Sequence, residues 1–301
     1  MILLFCYAHD IIIMEDRKTV TLYLAGGGIS AETITLGLKS LIKDADKIYV
    51  ETYTIPGSEW LYEFIKNLAP QKTILAHRSD LEDSINQIVE EARSMTILIV
   101  APGDPLIATT HRSIILEADK NNVEYRILPG VSGVCAAKTI TGLDYYKFGR
   151  TITIPGPWRG VKPYSTYYYL VSNLCIGLHT LLLLDIDDKG RQLSPCLALK
   201  QLNDVEIELS REAGYKPILD KLLYLAVSRA GLVDSQVIGG KGIEKICNNE
   251  LKAPISIIVP GRLSSYEKEY LETIYRIQVE ELSNIQERDY CKIMNLVTEI
   301  I

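Results

Sequence analysis

The run Ile97-Leu98-Ile99-Val100-Ala101, followed at once by Pro102-Gly103-Asp104-Pro105, constrains this chain more than any other stretch. Five apolar residues without polar alternation read as a short strand covered on both faces, as in a parallel sheet. Proline cannot extend a hydrogen-bonded ladder, so the strand stops there and the backbone turns. A helix-like segment from Thr109 to Lys120 follows directly. In open α/β sheets, ligands sit beyond the carboxyl ends of the strands, and Asp104 stands at such an end.

The same grammar repeats on either side. Strand-like runs cover 19–25, 47–51, 73–76 and 124–128, and helical periods fill the gaps. One of these helices, 58–69, carries an apolar stripe at Trp60, Leu61, Phe64, Ile65 and Leu68. Another is expected to open on a Ser79–Glu82 capping box and to end near Arg93. Five strand–helix alternations imply right-handed crossovers and a parallel, doubly covered sheet. After Pro129-Gly130-Val131-Ser132-Gly133 the pattern changes. Strand-like runs at 151–155, 179–186, 222–230, 234–239 and 253–259 are separated by longer, irregular connections, which suits mixed strand direction. The expected fold class is α/β with two α/β/α domains: an N-terminal parallel sheet over 19–130, and a C-terminal mixed sheet over 131–301 ending in a helix. A second capping box, Ser264 with Glu267, opens the helix of 264–276.

Residues 1–18 read as a loose leader. The apolar start lacks a basic leading segment, and His9 and Asp10 interrupt it, so it is no signal peptide; Met14 is an alternative start. No window approaches the roughly 20 apolar residues of a membrane span. The tail from Gln278 carries Leu282, Ile285, Ile293, Leu296 and Ile300 on one stripe, for docking on its own subunit or on a second copy.

A net charge of −6 argues against a protein that mainly grips nucleic-acid backbones. None of Cys6, Cys135, Cys175, Cys196, Cys247 and Cys291 stands at CxxC spacing. Scattered cysteines are expected to be free core thiols of a cytoplasmic protein. His9, His77, His111 and His179 include no pair at metal-ligand spacing, and no metal site is expected.

Three small-residue corners follow the first, fourth and fifth strands: Ala25-Gly26-Gly27-Gly28-Ile29-Ser30, the Pro-Gly-Asp-Pro turn, and 129–133. The first lacks the GxGxxG spacing of a dinucleotide fingerprint, and its plain reading is a tight turn. Asp104 either accepts hydrogen bonds from ribose hydroxyls, balances a bound cation, or caps its own turn. His111 is either an acid–base group or an ordinary polar residue at a helix start. The weight lies in the convergence: three such corners would face one edge of one sheet.

These corners, with ITGLDYYKFG (140–149), GLHTLLLLDI (177–186), SRAG (228–231) and IIVPGRL (257–263), occur in an order that resembles the diphthine synthases of the tetrapyrrole methylase superfamily. The resemblance covers about residues 20 to 272. It implies a two-domain methyltransferase, usually a homodimer, using S-adenosyl-L-methionine in the cleft between domains. The implied substrate is elongation factor 2, methylated on the amino group of the 3-amino-3-carboxypropyl arm of a modified histidine to give diphthine.

By the same resemblance, the donor site falls on Ile29, Asp104, Ile107, Ser132, Gly133, Val134, Leu184, Ala230 and Ile255. Diphthine synthases often carry histidine at the last of these; Ile255 leaves only its backbone to make a polar contact. Two rival readings are a methyltransferase acting on a tetrapyrrole, and a non-catalytic binder of elongation factor 2 with a relic donor pocket.

Overall fold

The structure is a computed structural model and describes residues 21–279 and 286–300. The leader, Thr19 and Val20 of the first strand, Cys6, and Leu282 and Ile285 of the tail lie outside the described residues.

Five parallel strands form the first sheet: β1 (Leu22–Gly26), β2 (Lys47–Glu51), β3 (Thr73–Ala76), β4 (Ile97–Ala101) and β5 (Tyr125–Leu128), in the order β3-β2-β4-β1-β5. Helices α1 (Leu36–Asp44), α2 (Glu59–Leu68), α3 (Arg78–Glu82), α4 (Ile85–Glu91) and α5 (Arg112–Lys120) connect them. All five residues of β4 are fully buried, as its unbroken apolar run requires. Alternation along the strand splits them between two cores. Ile97 and Ile99 pack with Ile88, Val89 and Ile114, while Leu98 and Val100 pack with Leu38, Ile42, Leu61 and Ile65.

The second sheet contains β6 (Ile152–Ile154), β7 (Thr180–Leu184), β8 (Leu223–Ser228), β9 (Gln236–Lys241) and β10 (Ile255–Val259), in the order β6-β7-β10-β8-β9. Only β6 and β7 run parallel; the remaining neighbours are antiparallel, so the sheet is mixed. Six helices accompany it: α6 (Gly133–Thr139), α7 (Tyr164–Cys175), α8 (Pro195–Ala213), α9 (Glu244–Cys247), α10 (Ser265–Ile274) and α11 (Glu287–Thr298). Ala137 of α6 already belongs to the core of this sheet, beside Leu181, Leu225 and Ile258.

Several local expectations are corrected. The helix expected to open at Ser79 begins at Arg78, because Asp80 rather than Glu82 closes the cap: its carboxylate accepts from the His77 N–H at 2.7 Å. It also breaks at 83–84 and restarts as α4. The helix after Asp104 starts at Arg112, not Thr109. The Ser264 capping box forms as its spacing predicts, with the Glu267 N–H donating to Ser264 and the Ser264 N–H donating to Glu267 at 2.7 Å.

The cysteines depart most from expectation. Cys175 is bonded to Cys291 and Cys196 to Cys247, each pair with Cα atoms 4.6 Å apart, while Cys135 is free. Sequence separations of 116 and 51 hide both pairings, since connectivity follows from the fold rather than from spacing. Through Cys291, the first bond ties α11 to the end of α7. Tyr290, Ile293 and Val297 of α11 are buried in this chain's own core, so α11 docks on its own subunit; of the expected stripe, Ile293 is buried, Ile300 packs against the same core and Leu296 is exposed.

Candidate active site

The three small-residue corners meet. Gly28 and Gly103 pair backbone to backbone: the Gly28 N–H donates to the Gly103 carbonyl at 3.1 Å, and the Gly103 N–H donates to the Gly28 carbonyl at 2.8 Å. Both have positive φ, which glycine adopts without steric cost. The 129–133 corner lies directly against them. A Cβ on Gly130 would stand 2.1 Å from the Gly103 carbonyl oxygen, and one on Gly26 would stand 2.5 Å from it. No side chain fits between the corners, so glycine is a packing requirement here.

Asp104 fastens this junction. One carboxylate oxygen accepts from the Leu106 N–H at 3.0 Å, the local turn cap, and the other accepts from Gly130 N–H at 3.2 Å, across to the third corner. Ser132 caps α6 by accepting from the Val134 N–H at 3.2 Å.

Above the corners lies a cleft of about 530 Å³ with walls from both sheets. That volume suits a small ligand, for which roughly 300–1,000 Å³ is usual. Ile29, Asp104 and Ile107 line it from the corners of the first sheet, Ser132, Gly133 and Val134 from the third corner and the start of α6, and Leu184, Ala230 and Ile255 from the second sheet. All nine residues named from the sequence therefore border one cavity. Ile29 bridges the walls: its side chain reaches within 2.5 Å of where a Gly231 Cβ would be. Ile255 differs from expectation, because its backbone is already engaged. The Gln192 amide accepts from Ile255 N–H and donates to Ile255 C=O, both at 2.8 Å. Only the apolar Ile255 side chain remains for a ligand.

Sequence reasoning missed several residues of the walls. Gln192 sits in a loop with no periodic signal. Arg159 lies on a turn after β6, where Asp185 accepts from its Nε at 2.8 Å and from its Nη2 at 3.0 Å. Arg78 stacks over the Tyr53 ring at 5.0 Å on the opposite wall and reaches Glu82 at 3.4 Å. The order of the strands, unreadable from local pattern, brings these segments together. Ala108, also on the wall, has φ of 59°, a conformation uncommon outside glycine.

His111 is not among the cleft residues. It is buried beneath the Pro-Gly-Asp-Pro turn, with Nδ1 3.2 Å from the Pro105 carbonyl and Nε2 3.4 Å from the Tyr53 hydroxyl. Burial lowers its pKa and favours the neutral ring. Neighbouring Glu51 is fully buried, and burial pushes its carboxyl up to about 7 against hydrogen bonds from Thr54 and Tyr53. The group supports the turn from below.

The YKFG and GLHTLLLLDI stretches meet at another buried point. Glu267 accepts from the Asp144 N–H at 2.9 Å, from His179 Nε2 at 2.8 Å and from Lys147. His179 Nδ1 accepts from the Gly261 N–H at 2.9 Å, which fixes the proton on Nε2. Burial raises the Glu267 pKa, but the Lys147 ammonium and these donors outweigh it and hold the carboxyl at about 2. These motifs are structural ties under the second sheet.

A profile of the Tetrapyrrole (Corrin/Porphyrin) Methylases matches residues 21–213, and the two sheets with the cleft between them define a methyltransferase of that class. A diphthine synthase from Aeropyrum pernix is 40% identical over 256 residues, covering 84% of this chain and 87% of that protein. One from Methanocaldococcus jannaschii is 34% identical, covering 83% and 97%. Among solved structures, a conserved hypothetical protein from Aeropyrum pernix K1 superposes with a TM-score of 0.83 at 37% identity, covering 93% of this chain and 97% of that one. A diphthine synthase superposes with a TM-score of 0.74 at 26% identity, covering 87% and 99%. The chain belongs to the diphthine synthase family of these methylases.

Proposed function

We propose that the chain methylates the amino group of the 3-amino-3-carboxypropyl arm on the modified histidine of elongation factor 2, taking the methyl from S-adenosyl-L-methionine. The observation that carries this reading is the pairing of Gly28 with Gly103 at the floor of one cleft spanning both sheets, with Gly130 packed against them from behind.

The cleft fits such a donor. Its glycine floor lets a ligand approach the backbone, and Ile29, Ile107, Val134, Leu184, Ala230 and Ile255 give an apolar bed for a nucleoside. When bound, the donor supplies a sulfonium-linked methyl as electrophile. The residues supply alignment: Asp104 holds the second and third corners in register, the Gly28–Gly103 backbone pair holds the first to the second, and Ile29 spans the two walls. A misplacement of about 1 Å can cost on the order of 100-fold in rate, so these packing contacts count as functional. An attacking amine must be neutral, and a largely apolar cleft disfavours the ammonium form.

The acceptor's charge also separates this reading from a tetrapyrrole substrate. Of the described residues that line the cleft, only Arg78 and Arg159 are cationic. That is sparse for a macrocycle bearing many carboxylates and ample for an arm bearing one. Radiolabelled methyl transfer tests it: label is expected on elongation factor 2 carrying the arm and not on uroporphyrinogen. Label on uroporphyrinogen alone, or on neither, contradicts it.

A further inference from the structure

We propose that Arg159 is the specificity-determining residue that holds the carboxylate of the acceptor's side arm, an inference that rests on the function proposed above. A methyltransferase acting on an amine next to a carboxylate needs a fixed cation to choose that arm over a bare side chain. Two cations line the cleft, and they differ in how firmly they are held. Arg78 stacks on Tyr53 and makes one long contact, 3.4 Å, with Glu82. Arg159 is clamped along one edge. Its Nε donates to Asp185 Oδ2 at 2.8 Å, and its Nη2 donates to Asp185 Oδ1 at 3.0 Å and to the Ile186 carbonyl at 3.3 Å. Asp185 is itself held by the Gly156 N–H at 3.0 Å and the Ile186 N–H at 2.9 Å.

That clamp consumes three of the five guanidinium protons, and the two on Nη1 have no partner among the described residues. Arg159 thus presents a pre-oriented pair of donors with a side chain 44% exposed, while its supporting Asp185 is only 14% exposed. The clamp aims Nη1 into the cleft's rim as a fixed, charged donor for one carboxylate oxygen, which a mobile ammonium would not be.

Position favours the acceptor over the donor as the source of that carboxylate. Leu184 on β7, Ile255 on β10 and Ala230 after β8 line the cleft from the interior of the second sheet, whereas Arg159 follows its edge strand, β6. Exposed Trp158 and Val161 flank it, so a macromolecule can reach this rim.

The test uses the full chain saturated with S-adenosylhomocysteine. It is titrated calorimetrically with elongation factor 2 carrying the arm, and with elongation factor 2 whose histidine is bare. The wild type is expected to prefer the armed form by about tenfold or more, the scale of one charge-assisted pair. Arg159→Gln is expected to remove most of that preference with its affinity for S-adenosylhomocysteine unchanged, and Arg159→Lys to fall between. A wild type that does not distinguish the two forms overturns the functional reading and this inference together. If the wild type distinguishes them and Arg159→Gln does so equally well, only the arginine assignment fails. Weakened S-adenosylhomocysteine binding in Arg159→Gln also overturns it, by moving the guanidinium to the donor's carboxylate. Should the glutamine variant not fold, the lysine variant decides: a reduced preference supports the clamped guanidinium and an unchanged one overturns it.

Discussion

At the scale of single residues, two carboxylates carry contrasting work. Asp104 ties corners that side chains cannot enter, so Asp104→Ala is expected to weaken S-adenosylhomocysteine binding by about tenfold or more through loss of two charge-assisted hydrogen bonds, with the fold retained. Equal affinities of the variant and wild type by calorimetry would remove that role. Glu267 acts away from the cleft. Its folded pKa of about 2 lies below the ordinary 4.5, so its contribution is present above pH 4.5 and is lost as pH falls towards 2. Glu267→Gln is expected to cost about 3 kcal/mol at neutral pH, since it leaves Lys147 without its buried partner, and to flatten that acid limb. Denaturant melts of both proteins from pH 7 to pH 2.5 measure it; parallel pH profiles would contradict it.

At the scale of elements, what was legible followed from what each signal encodes. Lys47–Glu51 and Thr73–Ala76 match their expected strands because short apolar runs bounded by polar residues fix strand limits locally. The break at 83–84 was invisible, because Asp83 and Ser84 are tolerated inside a helix as well as at its end. The nine donor-site positions came from resemblance, while Arg159, Gln192 and Arg78 depend on strand order and carry no periodic signal. The disulfides were equally hidden, and the Cys175–Cys291 bond holds α11. Reducing Cys175–Cys291, which closes a long loop, is expected to lower stability by roughly 2–4 kcal/mol and to loosen α11 before either sheet. Hydrogen exchange with and without reductant reads this; unchanged protection in 287–298 would contradict it.

For the whole molecule, function depends on two sheets presenting their ends to one cleft. The weakest tolerance lies where backbone meets backbone, at Gly130. Gly130→Ala would force a methyl to within 2.1 Å of the Gly103 carbonyl oxygen, and is expected to cost about 3 kcal/mol and to abolish donor binding by separating the corners. Thermal melts with and without S-adenosylhomocysteine check both effects. The central claim, that this cleft holds the methyl donor, is tested most directly by a crystal structure of the full chain with S-adenosylhomocysteine. The account predicts the ligand between the Gly103–Asp104 corner and the Leu184–Ile255 wall, with its sulfur facing the side of Arg159. A ligand bound outside that cleft, or none at saturating concentration, would contradict it.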